Sequence, residues 1–164
     1  MDQPAEERIV YETLDQLGIV YTRRTHPAVY TVEQARQYER GTPGAHCKNL
    51  FLRDRKGLRH FLAVFEESRA VDLRQLGELA GAGGLSFASP ERLLRVLGLT
   101  PGSVGPFGLL HPGAREVTVL LDGGLLRAGY VSFHPNVNTA TLTMSSADFQ
   151  RYLAWVGNPL ILVD

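Results

Sequence analysis

The segment from Lys48 to Phe65 restricts the fold more than any other. Two apolar runs, "KNLFLRD" and "LRHFLAVF", flank Arg55-Lys56-Gly57. Runs of strand length joined by a short Gly-containing link specify an antiparallel hairpin, and a hairpin commits the chain to a sheet. Lys48 opens the first strand, directly after Cys47. A lysine at the mouth of a buried strand is either a surface charge whose stem lies along apolar neighbours or a cation aimed at something.

The remaining elements fit around that hairpin. Residues 5 to 17 place Ile9, Val10, Tyr11, Leu14 and Leu17 at helical spacing, with Gly18 as the stop. "GIVYTRRTHP" predicts a short strand ended by Pro27, and Thr31 with Gln34 has the capping-box spacing for a helix through about Tyr38. "RGTPGAH" predicts a loop. Asp72 and Gln75 repeat the capping spacing, and Ser89-Pro90 begins a helix that Gly98 ends. "TPGSVGPFGLLHPG" holds too many Gly and Pro for an element interior. "REVTVLLD", "GYVSFHP", "NTATLTM" and "PLILVD" predict strands, and Ser145 starts a helix over "SADFQRYLAWVG". The interleaving lacks a regular βαβα repeat. It predicts one α+β domain over residues 1–164, a mixed, largely antiparallel sheet with packed helices.

Composition narrows the function. Seventeen Lys plus Arg balance seventeen Asp plus Glu, so any nucleic-acid contact must be local. "TRRT" at 22–25 and "RDRKGLR" at 53–59 are the basic stretches that could make one, unless they are ordinary solvated strand faces. One cysteine excludes an internal disulfide and a cysteine-based zinc site, and suits a reducing compartment. No apolar run reaches the ~20 residues of a membrane span, and the acidic start is unlike a signal peptide. The expectation is a cytoplasmic protein with no membrane partner.

Conventional catalytic machinery is missing. Cys47 beside Lys48 suggests a thiolate, but adjacent strand residues face opposite ways. If Lys48 faces a cleft, Cys47 faces the core. His26, His46, His60, His111 and His134 form no metal-binding pattern, and neither a GxSxG elbow nor a P-loop is present. Three features remain. They are Lys48; Gly102-Ser103-Val104-Gly105-Pro106, whose glycines let backbone approach a ligand; and "FHPNVNT", where His134 precedes a proline. Each also has an ordinary structural reading.

"HCKNLFLRDRKG", "LSFASPERLLRVLGLTPGSVGPFGLL" and "FHPNVNTATLTMSSADFQRYL" together resemble the prolyl-tRNA editing protein family, also described as YbaK/ProX-like. Its members are free-standing relatives of the editing domain inserted in bacterial prolyl-tRNA synthetases. The resemblance spans about residues 5 to 163, with three motifs in order, and is strongest to the branch that removes alanine from mischarged tRNA(Pro). It departs at "HPGA", 111–114, where relatives carry a more polar turn. The resemblance implies catalytic roles for Lys48 and Gly102. It also implies substrate contacts from Asn49, Ser103, Val104, Gly105, Pro106, Phe133, His134, Asn138 and Thr139, with no metal and no cofactor.

Such a site needs no triad, because an aminoacyl ester is already activated. It needs an oriented water, a cation, and a backbone that holds the ester. The implied partner is the acceptor end of tRNA(Pro), and prolyl-tRNA synthetase or an elongation factor would raise its local concentration. Alanine is smaller than proline, so a proline activation pocket cannot exclude it and a second, tighter pocket must remove it. His134, with Phe133 and Asn138 nearby, is expected to set that pocket's size. Cysteinyl-tRNA(Pro) as the substrate, a silent tRNA- or synthetase-binding module, and a Cys47 thiol hydrolase are the rival readings.

Overall fold

A computed structural model of the chain describes residues 3–39 and 44–164. Its first half contains α1 (Ala5–Gln16), β1 (Tyr21–Thr25), α2 (Val32–Glu39), β2 (Ala45–Asp54), β3 (His60–Glu66) and α3 (Leu73–Leu79). Its second half contains β4 (Leu85–Phe87), α4 (Pro90–Leu97), β5 (Thr118–Asp122), β6 (Tyr130–Phe133), β7 (Ala140–Ser145), α5 (Ser146–Val156) and β8 (Leu160–Val163). Of the loop expected over residues 40–46, residues 40–43 lie outside the described residues, while Ala45 and His46 belong to β2, which therefore starts before Lys48.

The hairpin forms in antiparallel register, Cys47 opposite Glu66 through Arg53 opposite His60. Asp54 closes its turn, accepting the N–H groups of Leu58 at 2.8 Å and Arg59 at 3.1 Å. The helix starts follow their capping residues. Asp72 accepts from the N–H groups of Arg74 and Gln75, Ser89 from Arg92, and Ser145 from Asp148. At α2 the Thr31 hydroxyl accepts from Gln34 N–H, while the Gln34 amide oxygen accepts from Tyr30 N–H. The reciprocal cap therefore sits one residue further out than the standard box. In α1, Val10 and Leu14 are buried but Ile9 stays 41% exposed, so the apolar stripe is narrower than its sequence spacing implies.

The strands join in the order β1-β7-β6-β2-β3-β5-β8, with β4 added to β2. β6–β2, β3–β5 and β5–β8 are parallel, and the other four pairs are antiparallel. β2 is the shared member. It pairs with β6 only at Ala45 and His46, with β3 along most of its length, and with β4 at its far end.

Alternation along the strands builds two cores. Phe51, Leu62, Val64, Val119, Leu121, Val131, Phe133, Leu142 and Met144 pack under α1, α4 and α5. Leu52, Phe61, Ala63, Phe65 and Leu120 face α3. The Gly- and Pro-rich stretch is ordered and belongs to the first core, as a 3-10 turn at Pro106–Leu110 with Phe107 fully buried. Its carbonyls are satisfied by side chains: Tyr152 donates to Pro106 at 2.8 Å and Asn136 to Phe107 at 3.2 Å. Phe107 and Phe149 pack against Phe133, and such aromatic pairs add about 0.5–1.5 kcal/mol each beyond area burial.

Candidate active site

The second face of the sheet is apolar under α3 but polar over β1, β7 and β6. Residues paired across strands share a face, so the register writes out what this surface presents. One row runs Thr22, Thr143, Ser132, His46. The next holds Arg24 and Thr141, with His134 following Phe133 off the end of β6. Lys48, two residues beyond His46 on the same face of β2, continues that second row. Because the β6–β2 pairing stops at His46, nothing bridges the two strands beside Lys48, and the sheet opens there into a cleft of about 520 Å³. That size lies within the ~300–1,000 Å³ of small-molecule sites.

α2 and the segment before it wall the cleft through Tyr38, Ala35, Thr31, Tyr30 and Val29, and Gly102 closes it from the opposite loop. Gly102 has φ +94°, a backbone conformation that disfavours a side chain. A Cβ there would stand 3.4 Å from Asn138 Nδ2 and 3.5 Å from the Tyr30 ring. Asn138 in turn donates to Val29 O at 3.4 Å, which ties the wall to the Gly102 loop.

Hydrogen bonds fix the polar floor. His134 Nδ1–H donates to Ala140 O at 2.9 Å, which leaves Nε2 as the acceptor. Burial holds this imidazole below its usual pKa, with the nearby His26 adding to the effect, so it is neutral at pH 7. His26 Nδ1–H donates to Pro27 O, its Nε2 meets the Thr141 hydroxyl at 2.9 Å, and its ring stacks on Tyr38. Ser132 and Thr143 share a hydrogen bond of 2.7 Å. Lys48 is half-buried and makes no hydrogen bond or ion pair with any described residue. Asn49 borders the cleft, and its Oδ1 is buried without a hydrogen-bond partner. An orphaned acceptor of this kind costs about 1–3 kcal/mol until a donor reaches it.

Cys47 behaves as strand alternation requires. Its side chain packs against the first core, and burial pushes the thiol far above its usual pKa, which removes the nucleophilic thiolate. Of the basic stretch at 22–25, Arg23 is tied to α1 by a 3.0 Å ion pair with Glu7 and a 2.7 Å bond to the Tyr11 hydroxyl. Arg24 faces the cleft. Among the described residues no cluster of His, Cys, Asp and Glu gathers to hold a metal, and no helix is long and apolar enough to cross a membrane.

The structure thus brings Lys48, Asn49, Gly102 and His134 to one cleft, with Asn138 behind Gly102. Phe133 reaches its edge, and the other expected residues lie elsewhere. Phe133, expected to size the pocket, borders the cleft but packs its ring in the first core because it alternates with Ser132 and His134. Ser103 is buried, with its N–H donating to Thr100 O, and Val104 packs on the core. Pro106 is buried under Tyr152, and Gly105 lies against His134 O, where a Cβ would come to 3.5 Å. Thr139 is exposed and uses its carbonyl to accept from His26 N–H. His26, Tyr38, Ser132, Thr141 and Thr143 were not expected. The period-two polar positions of "VSFH" and "TATLTM" carry the signal for three of them.

Residues 26–152 match the model of the aminoacyl-tRNA editing domain. The chain is 39% identical over 158 residues to the prolyl-tRNA editing protein ProX of Acetoanaerobium sticklandii, covering 96% of each. It is 34% identical to prolyl-tRNA synthetase associated domain-containing protein 1 of Mus musculus, covering 84% of this chain and 83% of that one. A solved structure described as a candidate trans-editing enzyme for prolyl tRNA synthetase superposes with a TM-score of 0.73 at 23% identity, covering 98% of this chain and 97% of that one. At that identity the superposition speaks for the fold alone. With the family model matching most of its length and a relative 39% identical over nearly all of it, this chain belongs to the aminoacyl-tRNA editing domain family.

Proposed function

We propose that this protein hydrolyses the aminoacyl ester of mischarged tRNA(Pro) in trans, with alanyl-tRNA(Pro) as the substrate. The observation that carries the reading is the Lys48 ammonium, unpaired among the described residues and half-buried, opening into the same cleft as Gly102 and the neutral His134. Water attacks the ester carbonyl, forming the new C–O bond, and the bond to the ribose oxygen breaks. The water's protons end on that oxygen and in solvent, and the products are free alanine and uncharged tRNA. Lys48 stabilises the developing oxyanion, or the phosphate of the terminal adenosine, in a site where such charges act at close range. The His134 Nε2 lone pair orients the water, and a hydroxyl of the terminal ribose assists. The Gly102 backbone, which has no side chain to keep the substrate away, holds the α-ammonium and the carboxyl-derived oxygens.

A cleft of about 520 Å³ holds a nucleoside together with its amino acid, so total volume does not reject proline. Rejection is local, at the walls made by His134, Tyr30 and Gly102. One or two methylenes are worth only about 1–3 kcal/mol each in such a pocket, so cysteinyl-tRNA(Pro) is the natural competitor. The test is a deacylation panel of alanyl-, cysteinyl- and prolyl-tRNA(Pro) with wild type and Lys48→Ala. Wild type should cleave the alanyl ester fastest and spare the prolyl ester. Lys48→Ala should lower kcat by about 10²-fold, the scale of losing one transition-state donor. A Lys48→Ala protein that deacylates at the wild-type rate refutes the mechanism.

A further inference from the structure

The tip of the β2–β3 hairpin is an unneutralised cationic surface on a protein of zero net charge. Arg55, Lys56 and Arg59 are exposed there, and α4 brings Arg92 and Arg95 beside them. Arg53, Arg55, Lys56 and Arg95 pair with no carboxylate among the described residues. The carboxylate within the hairpin, Asp54, has turned inward to accept the N–H groups of Leu58 and Arg59, and Glu78 on α3 is occupied by Arg74 at 3.7 Å. Glu91 stands in the first turn of α4. The excess is felt by a neighbour: burial and the Arg92, Arg95 and Arg53 charges hold the His60 imidazole below its usual pKa, against the pull of Asp54.

The surface is also shaped. Arg55, Lys56, Arg59 and Asp54, whose Oδ1 is taken by the turn's own N–H groups, line a shallow hollow of about 410 Å³ with the Gly81–Gly84 turn, which bears side-chain atoms only at Ala82. A ligand backbone can therefore lie against protein backbone between cations, of which Arg59 is held by the Ala80 carbonyl at 3.4 Å. Phe87, 62% exposed, lies on the strand beside β2, opposite Leu52. Lys48 and Asp54 lie on one strand, six residues apart, so the hollow is about 20 Å from the cleft at ~3.3 Å per residue.

We infer that this hairpin tip is a second RNA contact that grips backbone phosphates of the acceptor stem while the 3′ end occupies the cleft. It rests on the proposed function for the identity of the RNA, not for the existence of the surface. Repeating cations over a side-chain-poor concavity suit a phosphate backbone rather than a small anion. The other basic stretch is less available, because Arg23 is bound to Glu7 and Arg24 looks into the cleft.

The experiment compares wild type with the double variant Arg55→Gln, Lys56→Gln. Binding of uncharged tRNA(Pro) is measured across a salt series, and hydrolysis is measured on full-length alanyl-tRNA(Pro) and on a short alanyl-CCA ester. Two lost phosphate contacts should flatten the plot of log affinity against log salt by about 1.4–1.8 and raise KM for the full tRNA about tenfold, with the short ester cleaved as before. Unchanged tRNA affinity and slope overturn the inference, as does an equal loss on the short ester, which would mean the change acts through the cleft or the fold. If wild type cleaves neither ester, the editing reading fails, and the salt series still decides whether the hairpin binds RNA.

Discussion

Replacing Asp122 by alanine should cost about 3 kcal/mol and loosen one rim of the cleft. Asp122 is 3% exposed at the end of β5. Its Oδ1 accepts from Arg69 at 2.6 Å and from Gly124 N–H at 2.9 Å, and its Oδ2 accepts from Glu66 N–H at 3.0 Å. Arg69 continues to the Val163 and Asp164 carbonyls at 3.3 and 2.9 Å, so one carboxylate ties together the ends of β3, β5 and β8. Removing one partner of a buried pair costs about 3–5 kcal/mol. The Arg69 side chain is 32% exposed and can rehydrate, which places the loss at the low end of that range. For a chain of this length ~3 kcal/mol corresponds to roughly 6–12 °C in Tm.

The pH dependence gives a second handle on the same group. Burial raises the Asp122 pKa, but the N–H groups of Glu66 and Gly124 together with Arg69 outweigh it and hold the carboxyl below its ordinary value. A carboxyl depressed in the fold stabilises fully above its unfolded pKa of about 3.9 and ceases to as pH falls through the folded one. Urea unfolding at neutral pH and down an acid series, on wild type, Asp122→Ala and Asp122→Asn, reads both effects. Both variants should lose the acid-range slope that Asp122 supplies. A loss under about 1 kcal/mol, or an unchanged acid limb, refutes the reasoning. Because the Glu66 anchor directly precedes Glu67 on the cleft rim, KM should rise in the same variants.

Cys47→Ser should leave kcat unchanged, since its buried thiol supplies no thiolate; abolished deacylation would restore the thiol mechanism. Gly102→Ala should lose about 1–2 kcal/mol from the left-handed backbone, and should lower kcat/KM as the strained loop shifts at the cleft wall. Thermal melts and steady-state kinetics together check it. The pH profile of kcat/KM should fall on the acid side at a value below the ordinary imidazole pKa, as His134 Nε2 takes up a proton and ceases to be an acceptor. His134→Ala should abolish that limb and admit bulkier amino acids; an unchanged limb and unchanged selectivity rule the role out. The same depressed imidazole makes stability fall as pH drops below the unfolded value of about 6.5, because the unfolded chain binds the proton first.

Much of the local structure was legible because it is written in short-range chemistry. The hairpin, and the helix starts at Asp72, Ser89 and Ser145, depend on residues within a few positions of each other, and each formed as expected. β4 has three residues, too few to show a period, and went unread. The order of the sheet was not legible either. The parallel pairs β6–β2, β3–β5 and β5–β8 join segments far apart in sequence, and no local pattern encodes which partners meet. At the cleft, Lys48, Gly102 and His134 stood out through motif resemblance. Ser132, Thr141 and Thr143 did not, although their alternation was visible, because a hydroxyl on an open strand face and one on a cleft floor look the same in sequence. The Gly102–Pro106 motif was read as one unit, but the structure separates it, with Gly102 at the cleft and the rest supporting the core.

Alternation along β6 and β7 separates two demands that most pockets must satisfy at once. Residues 131, 133, 142 and 144 hold the protein together, and residues 132, 134, 141 and 143 meet whatever enters. Inherited changes at the second set can redirect the enzyme toward a different amino acid while the fold is left intact. A single scaffold of this kind can therefore give rise to descendants with divergent substrate tastes.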